Sequence, residues 1–256
     1  MKRPDCPART RTMPVLAISV AGLALAGCGG ASSGSGSTGS GSSASPATAG
    51  GTVSAPAIFP ATVGDTWVYQ EKLTSMHGTV TNQVASVSPN PGGGEQVIMK
   101  SRDDLAGIPH AATRSTFVIH PDGSITVPLT QVGSSTVTVK SGRIIWPSAA
   151  QLSSGRPYAS TLLVAFTEAG HALRVRANMV VRGAGTQPVH VPAGTYQATV
   201  INETMTEKVM GFKVTMDIRT WLAPGVGPVK SEVITKQGPL SSGIASEQVL
   251  KSFTRG

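Results

Sequence analysis

Between Phe212 and Thr220 the chain reads FKVTMDIRT. Phe212, Val214, Met216 and Ile218 fall at every second position, with Lys213, Thr215, Asp217 and Arg219 between them. A period of two sends the two sets to opposite sides of a strand, so this segment predicts a strand with one apolar and one wet face. His171 to Val181 repeats the pattern, with Leu173, Val175, Ala177, Met179 and Val181 alternating with Arg174, Arg176 and Asn178. One wet face marks antiparallel sheet, because parallel strands covered on both sides read as continuous apolar runs.

Weaker versions of the pattern predict strands over 66–73, 79–87, 96–101, 116–120, 135–140, 143–146, 162–166, 196–205, 229–235 and 246–253. The connections carry turn chemistry. In HPDG, Pro121 and Gly123 suit a type I turn; VPAG places Pro192 and Gly194 alike, and APGV offers Pro224 and Gly225 to a type II turn. Gln151 to Thr161 is the one long stretch between strands with room for a short helix. The pattern therefore predicts a mainly β fold with little helix: a strongly curved antiparallel sheet or open β-barrel of about ten to twelve strands.

That pattern begins only near residue 57. Ahead of it, Lys2, Arg3, Arg9 and Arg11 precede an apolar stretch from Val15 to Ala26, then small residues, the three parts of an export signal. The apolar stretch is shorter than the roughly 20 residues a spanning helix needs. Leu25-Ala26-Gly27-Cys28 resembles the lipobox of bacterial lipoprotein signal peptides. The resemblance implies that Cys28 receives a diacylglyceryl group (a palmitate-type anchor) and that the signal, residues 1–27, is cut just before it. Two acyl chains give stable anchoring where one does not. From Gly29 to Pro56 the chain is almost wholly Gly, Ser, Ala and Thr without charge, which predicts a flexible tether with a root-mean-square span of order 30 Å. The expected organisation is thus signal 1–27, lipidated cysteine and tether 28–56, and one extracytoplasmic β domain 57–256, held at the cell membrane by lipid. The two cysteines, Cys6 and Cys28, both precede the domain, so it has no disulfide or cysteine metal site.

The leader also distorts the charge balance. The whole chain has 21 Lys and Arg against 13 Asp and Glu. Removing the leader's four basic groups and Asp5 leaves about +5, a moderate basic excess suited to contact with an anionic envelope. The basic residues are scattered and no aromatic–basic motif for stacking bases is present, so nucleic acid is not an expected partner.

Three segments share a second resemblance: Gly64-Asp65-Thr66-Trp67-Val68-Tyr69, Val191-Pro192-Ala193-Gly194-Thr195-Tyr196, and Trp221 to Lys230, containing APGVGPVK. In this order they resemble a class of uncharacterised bacterial secreted domains with GxxWxY, VPAGT(F/Y) and APGVGxVK segments. The resemblance implies an extracytoplasmic antiparallel β domain and no particular activity. Physically, Trp67 and Tyr69 lie two apart on one strand face, where aromatics pack as core, and Gly225 and Gly227 supply backbone freedom for a reversal.

Catalytic constellations are sparse. His77, His110, His120, His171 and His190 are widely spaced, without HExxH or a close carboxylate pair. No GxSxG elbow occurs within the domain 57–256, and Ser241-Ser242-Gly243 sits in a polar loop. Asp103-Asp104 and the Glu168/His171 pair read as loop and hairpin residues, and Asn202-Glu203-Thr204 matches a glycosylation sequon inside an expected strand. The expectation is no enzyme, no catalytic residues, no metal and no cofactor. The favoured role is a noncatalytic module holding an apolar or amphipathic envelope ligand, its flexible lining including Met179, Met205, Met210 and Met216. The alternative is a structural or interaction lipoprotein that binds another envelope component through a sheet face or edge. A hydrolase stands last.

Overall fold

The computed structural model describes residues 58–73, 76–105, 111–127, 136–168, 171–209, 212–237 and 243–256. Cys6, Cys28, the tether, His110, Met210, Ser241 and Ser242 lie outside the described residues. The strands are β1 (Thr66–Leu73), β2 (Met76–Pro89), β3 (Glu95–Leu105), β4 (Ala111–Ile119), β5 (Ile125–Val127), β6 (Thr136–Trp146), β7 (Tyr158–Glu168), β8 (His171–Val191), β9 (Gly194–Val209), β10 (Phe212–Ala223), β11 (Gly227–Gln237) and β12 (Gly243–Thr254). Each pairs antiparallel with its sequence neighbour, and β1 pairs with β12, which closes a twelve-stranded barrel.

Closure decides which strand face is buried. On β8, Val175, Ala177, Met179 and Val181 are buried while Arg174, Arg176, Asn178 and Arg182 are exposed. On β9, Ile201, Glu203, Met205 and Glu207 are buried while Asn202, Thr204 and Lys208 are exposed. The buried parity faces the barrel interior and the charged parity faces outward. A membrane-spanning barrel has the reverse arrangement, with an outward apolar band and a polar interior. The twelve strands agree with the expected fold, and the barrel is closed rather than open.

Several strands run past their expected bounds, and in two of them a glycine is involved. The 135–140 and 143–146 segments fall in one strand, β6: the register shift between Val139 and Ser141 makes a bulge, and Gly142, at φ 77°, pairs with Leu162 instead of turning. Strand β8 runs on from Val181 to Val191, with a register shift between Gly183 and Thr186 that absorbs Gly185 at φ 83°. The short strand β5 was not foreseen, having only three residues to show a period.

The turns follow their sequences. Gly123 donates its amide to His120 O at 2.9 Å with φ 80°, and Val226 donates to Ala223 O at 3.1 Å with Gly225 at φ 72°. The one helix among the described residues, α1 (Ala149–Ser153), begins just ahead of the expected stretch. It is fixed by a capping box: Gln151 N donates to Ser148 Oγ, and Ser148 N donates to Gln151 Oε1. The helix packs on β8 where Gly183 lacks a side chain, since a Cβ there would meet Leu152 O.

Aromatic residues fill the end of the barrel where the described chain enters. Phe59 stacks on Trp67 at 5.2 Å between ring centroids and meets Phe117 edge-on at 5.3 Å; Phe253 stacks on Trp67 at 5.2 Å. Trp67 Nε1 donates to Val226 O at 2.6 Å and Tyr69 Oη to Pro228 O at 2.9 Å, so both reach past β12 to the start of β11. These two residues are core, as their spacing predicted.

Candidate functional site

Four carboxyl side chains lie buried on the inward parity of the barrel: Glu71, Asp103, Glu203 and Glu207. The strand register brings most of them into one belt. Glu71 on β1 stands opposite Gln248 on β12, Gln248 opposite Ser231 on β11, and Ser231 opposite Thr220 on β10. All four residues are buried, and side chains directly opposite in a ladder have Cβ atoms about 5 Å apart. Gln248 Nε2 donates to Glu71 Oε2 at 3.1 Å.

The belt extends at both ends. Asp103 on β3 faces Val80 on β2, and Val80 faces Tyr69, two residues before Glu71, so Asp103 is the diagonal neighbour of Glu71 across β2. At the other end Thr220 Oγ1 donates to Glu203 Oε1 at 3.3 Å. Glu203 Oε2 accepts Nε1–H of Trp146 at 3.0 Å, tying β9 to β6 past two strands. Glu207 lies further along β9, separated from Glu203 by a row of methionines in which Met179, Met205 and Met216 stand side by side.

Burial controls the protonation of this set. Glu203 is pushed up to about 7 by desolvation, against the opposing hydrogen bonds from Trp146 and Thr220. Glu71 is also raised to about 7, by desolvation first, with the Gln248 bond lowering it and the Asp103 charge raising it again. Glu207 reaches about 7 by burial alone, and Asp103 about 6 by burial and the charge of Asp104. Glu71 Oε1, Asp103 Oδ1 and Glu207 Oε1 are buried with no hydrogen-bond partner. A buried carboxyl oxygen without a donor is costly, so these groups favour the proton or a donor brought to them.

The other sequence candidates are not gathered here. His77 is exposed on β2. His120 Nε2, in the turn after β4, bonds Thr126 Oγ1 at 2.7 Å, and His190 Nδ1 bonds Thr195 Oγ1 at 2.9 Å across the β8–β9 pair. Glu168 and His171 pair at the β7–β8 corner, as hairpin residues do. Asn202 points outward between Arg182 and Arg219. Among the described residues no group of three or more His, Cys, Asp or Glu could hold a metal ion. Met179, Met205 and Met216 are inward, as expected.

Asp103 requires a correction. It is a buried strand residue and not a loop residue, because β3 continues to Leu105, four residues past its expected end. Sequence reading also missed Glu71, Glu203 and Glu207. The signal was parity: Glu71 shares the face of Trp67 and Tyr69, and Glu203 and Glu207 that of Met205.

Comparison with known proteins places the chain in a family. The DUF3108-like family model matches residues 68–245, well over half of the chain, and the protein belongs to that family. The match begins inside the GDTWVY segment and includes both later segments of the sequence resemblance. Among solved structures, one similar chain is a protein described as exported, with YmcC-like fold, from Bacteroides fragilis NCTC 9343: 15% identical, TM-score 0.53, covering 78% of this chain and 100% of that one. Another is described as a lipoprotein from Parabacteroides distasonis ATCC 8503: 17% identical, TM-score 0.54, with the same coverages. At these identities the likeness is one of fold. A search of curated proteins finds no significant match.

Proposed function

We propose that this chain is a noncatalytic envelope lipoprotein whose barrel interior receives the polar end of an amphipathic molecule. The observation that carries the reading is the set of three buried, unpartnered carboxyl oxygens, on Glu71, Asp103 and Glu207, set among a buried polar belt and a largely apolar core. Hydroxyl or amine donors on a ligand would satisfy them, while the Met179–Met205–Met216 row offers adaptable apolar contact. Twelve strands also enclose more space than the eight that side chains alone fill. Here bulky aromatics, α1 and the Trp146–Glu203 link take up part of it.

Location is part of the same proposal. The lipobox residues ending at Cys28, together with neighbours described as an exported protein and a lipoprotein, support lipid anchoring on the extracytoplasmic side. The anchor is tested by fractionation: Cys28→Ala should leave the membrane, and a wild type lacking lipid on its first mature residue would overturn it. The ligand is tested by native mass spectrometry of protein purified gently from the exported compartment, with organic extraction. A stoichiometric lipid or glycolipid that is depleted in Glu71→Gln/Glu207→Gln protein is the expected result. An empty barrel in the wild type would overturn the reading.

A further inference from the structure

The outer surface holds a feature the barrel interior does not explain. Arg176 on β8 stands directly opposite Lys208 on β9, and Lys208 directly opposite Lys213 on β10. Arg174, two residues from Arg176, is on the same face, and all four side chains are exposed. Like charges directly opposite in a sheet are destabilising. Among the described residues no ion pair joins them to a carboxylate; the ion pairs seen there join Arg102 to Asp104, Lys230 to Glu232 and Glu247, and Lys236 to Asp217.

We propose that Arg174, Arg176, Lys208 and Lys213 form a docking surface for anionic phospholipid headgroups. The chemistry of the patch selects that partner. A protein partner needs an apolar core within its footprint, whereas the one exposed large hydrophobic residue among those described is Val63, just ahead of β1. The cations lie near the corners where β8 begins and β9 passes to β10, the opposite end of the barrel from Val63. Charge with no exposed apolar anchor among the described residues fits a field of phosphates, to which each nearby Lys or Arg contributes additively. Four cations across three adjacent strands at one barrel end would let the barrel stand on such a surface.

The test uses full-length chain carrying Cys28→Ala, so that lipidation at that residue cannot hold it, and phosphatidylcholine vesicles with or without phosphatidylglycerol. Binding is expected only with phosphatidylglycerol, declining with salt, and weaker by about fivefold for each cation neutralised. The charge-reversed pair Arg176→Glu/Lys208→Glu should lose binding, while Lys100→Glu/Arg114→Glu, an exposed facing pair on β3 and β4, should retain it. Equal loss in both pairs would reduce the effect to net charge and overturn the patch, as would binding indifferent to phosphatidylglycerol. Lys208→Glu alone should melt higher than its parent while binding less. A lower melting temperature would show that the cationic row carries no built-in repulsion.

Discussion

The indole of Trp146 and the carboxyl of Glu203 meet at 3.0 Å inside the barrel, one from β6 and the other from β9. Two strands, β7 and β8, separate them around the wall, so this contact crosses the interior chord. Replacing Trp146 by Phe removes the donor and leaves Glu203 Oε2 as one more buried acceptor short of a partner. The expected loss is about 1–3 kcal/mol of unfolding free energy, read by urea denaturation. An unchanged midpoint would mean that Glu203 is satisfied without Trp146.

The raised carboxyls make stability depend on pH with a definite sign. Glu203 ionises near 4.5 in the unfolded chain and near 7 when folded, so between these values the native state holds the proton that the unfolded state has lost. Its contribution is therefore favourable at low pH and falls as pH rises from about 4.5 through about 7; Glu71 and Glu207 act in the same direction over the same window. Glu203→Gln keeps both partners, since the amide oxygen can accept from Trp146 and the amide nitrogen can donate to Thr220 Oγ1. Thermal melts should show the variant matching wild type near pH 5 and exceeding it at pH 8 by roughly 2–3 kcal/mol. A variant that is weaker at pH 8 would sink this account.

Tyr69 offers a cleaner single-atom test. Its hydroxyl donates to Pro228 O at 2.9 Å in a buried setting, and burial pushes its ionisation upward. Tyr69→Phe retains the ring and strands the carbonyl at an expected cost of about 1–3 kcal/mol. A cost near zero, measured in the same denaturant series, would indicate that Pro228 O finds another donor.

Glycines in the left-handed region should not be equivalent. A Cβ on Gly142 would run into Thr161 O of the neighbouring strand, whereas one on Gly185 meets nothing within 4 Å. Gly185→Ala should therefore cost only the backbone strain, about 1–2 kcal/mol, and Gly142→Ala distinctly more. Reversal of that order would mean that Gly142 does not lie tight against Thr161.

The period-two segments on β8 and β10 made the sheet legible, and the small number of glycine-bearing turns made its up-and-down order legible. Closure was not, because nothing local to Thr66–Leu73 or Gly243–Thr254 states that these strands pair with each other. The carboxyl belt was hidden differently. An isolated Glu on an apolar parity looks like an interruption of the pattern, and only the register that sets Gln248 beside Glu71 and Thr220 beside Ser231 turns interruptions into a row. Asp103 was lost to a strand read too short.

The β1–β12 seam has a consequence for how the chain matures. Every other strand pair joins near neighbours in sequence, but this one joins Thr66 to Thr254. A nascent or translocating chain can lay down strands in order, yet it keeps two naked borders, on β1 and on its newest strand, until β12 arrives. Unpaired borders are templates for other chains. A product ending before Gly243 should therefore assemble into multimers or aggregates and not persist as an eleven-stranded monomer.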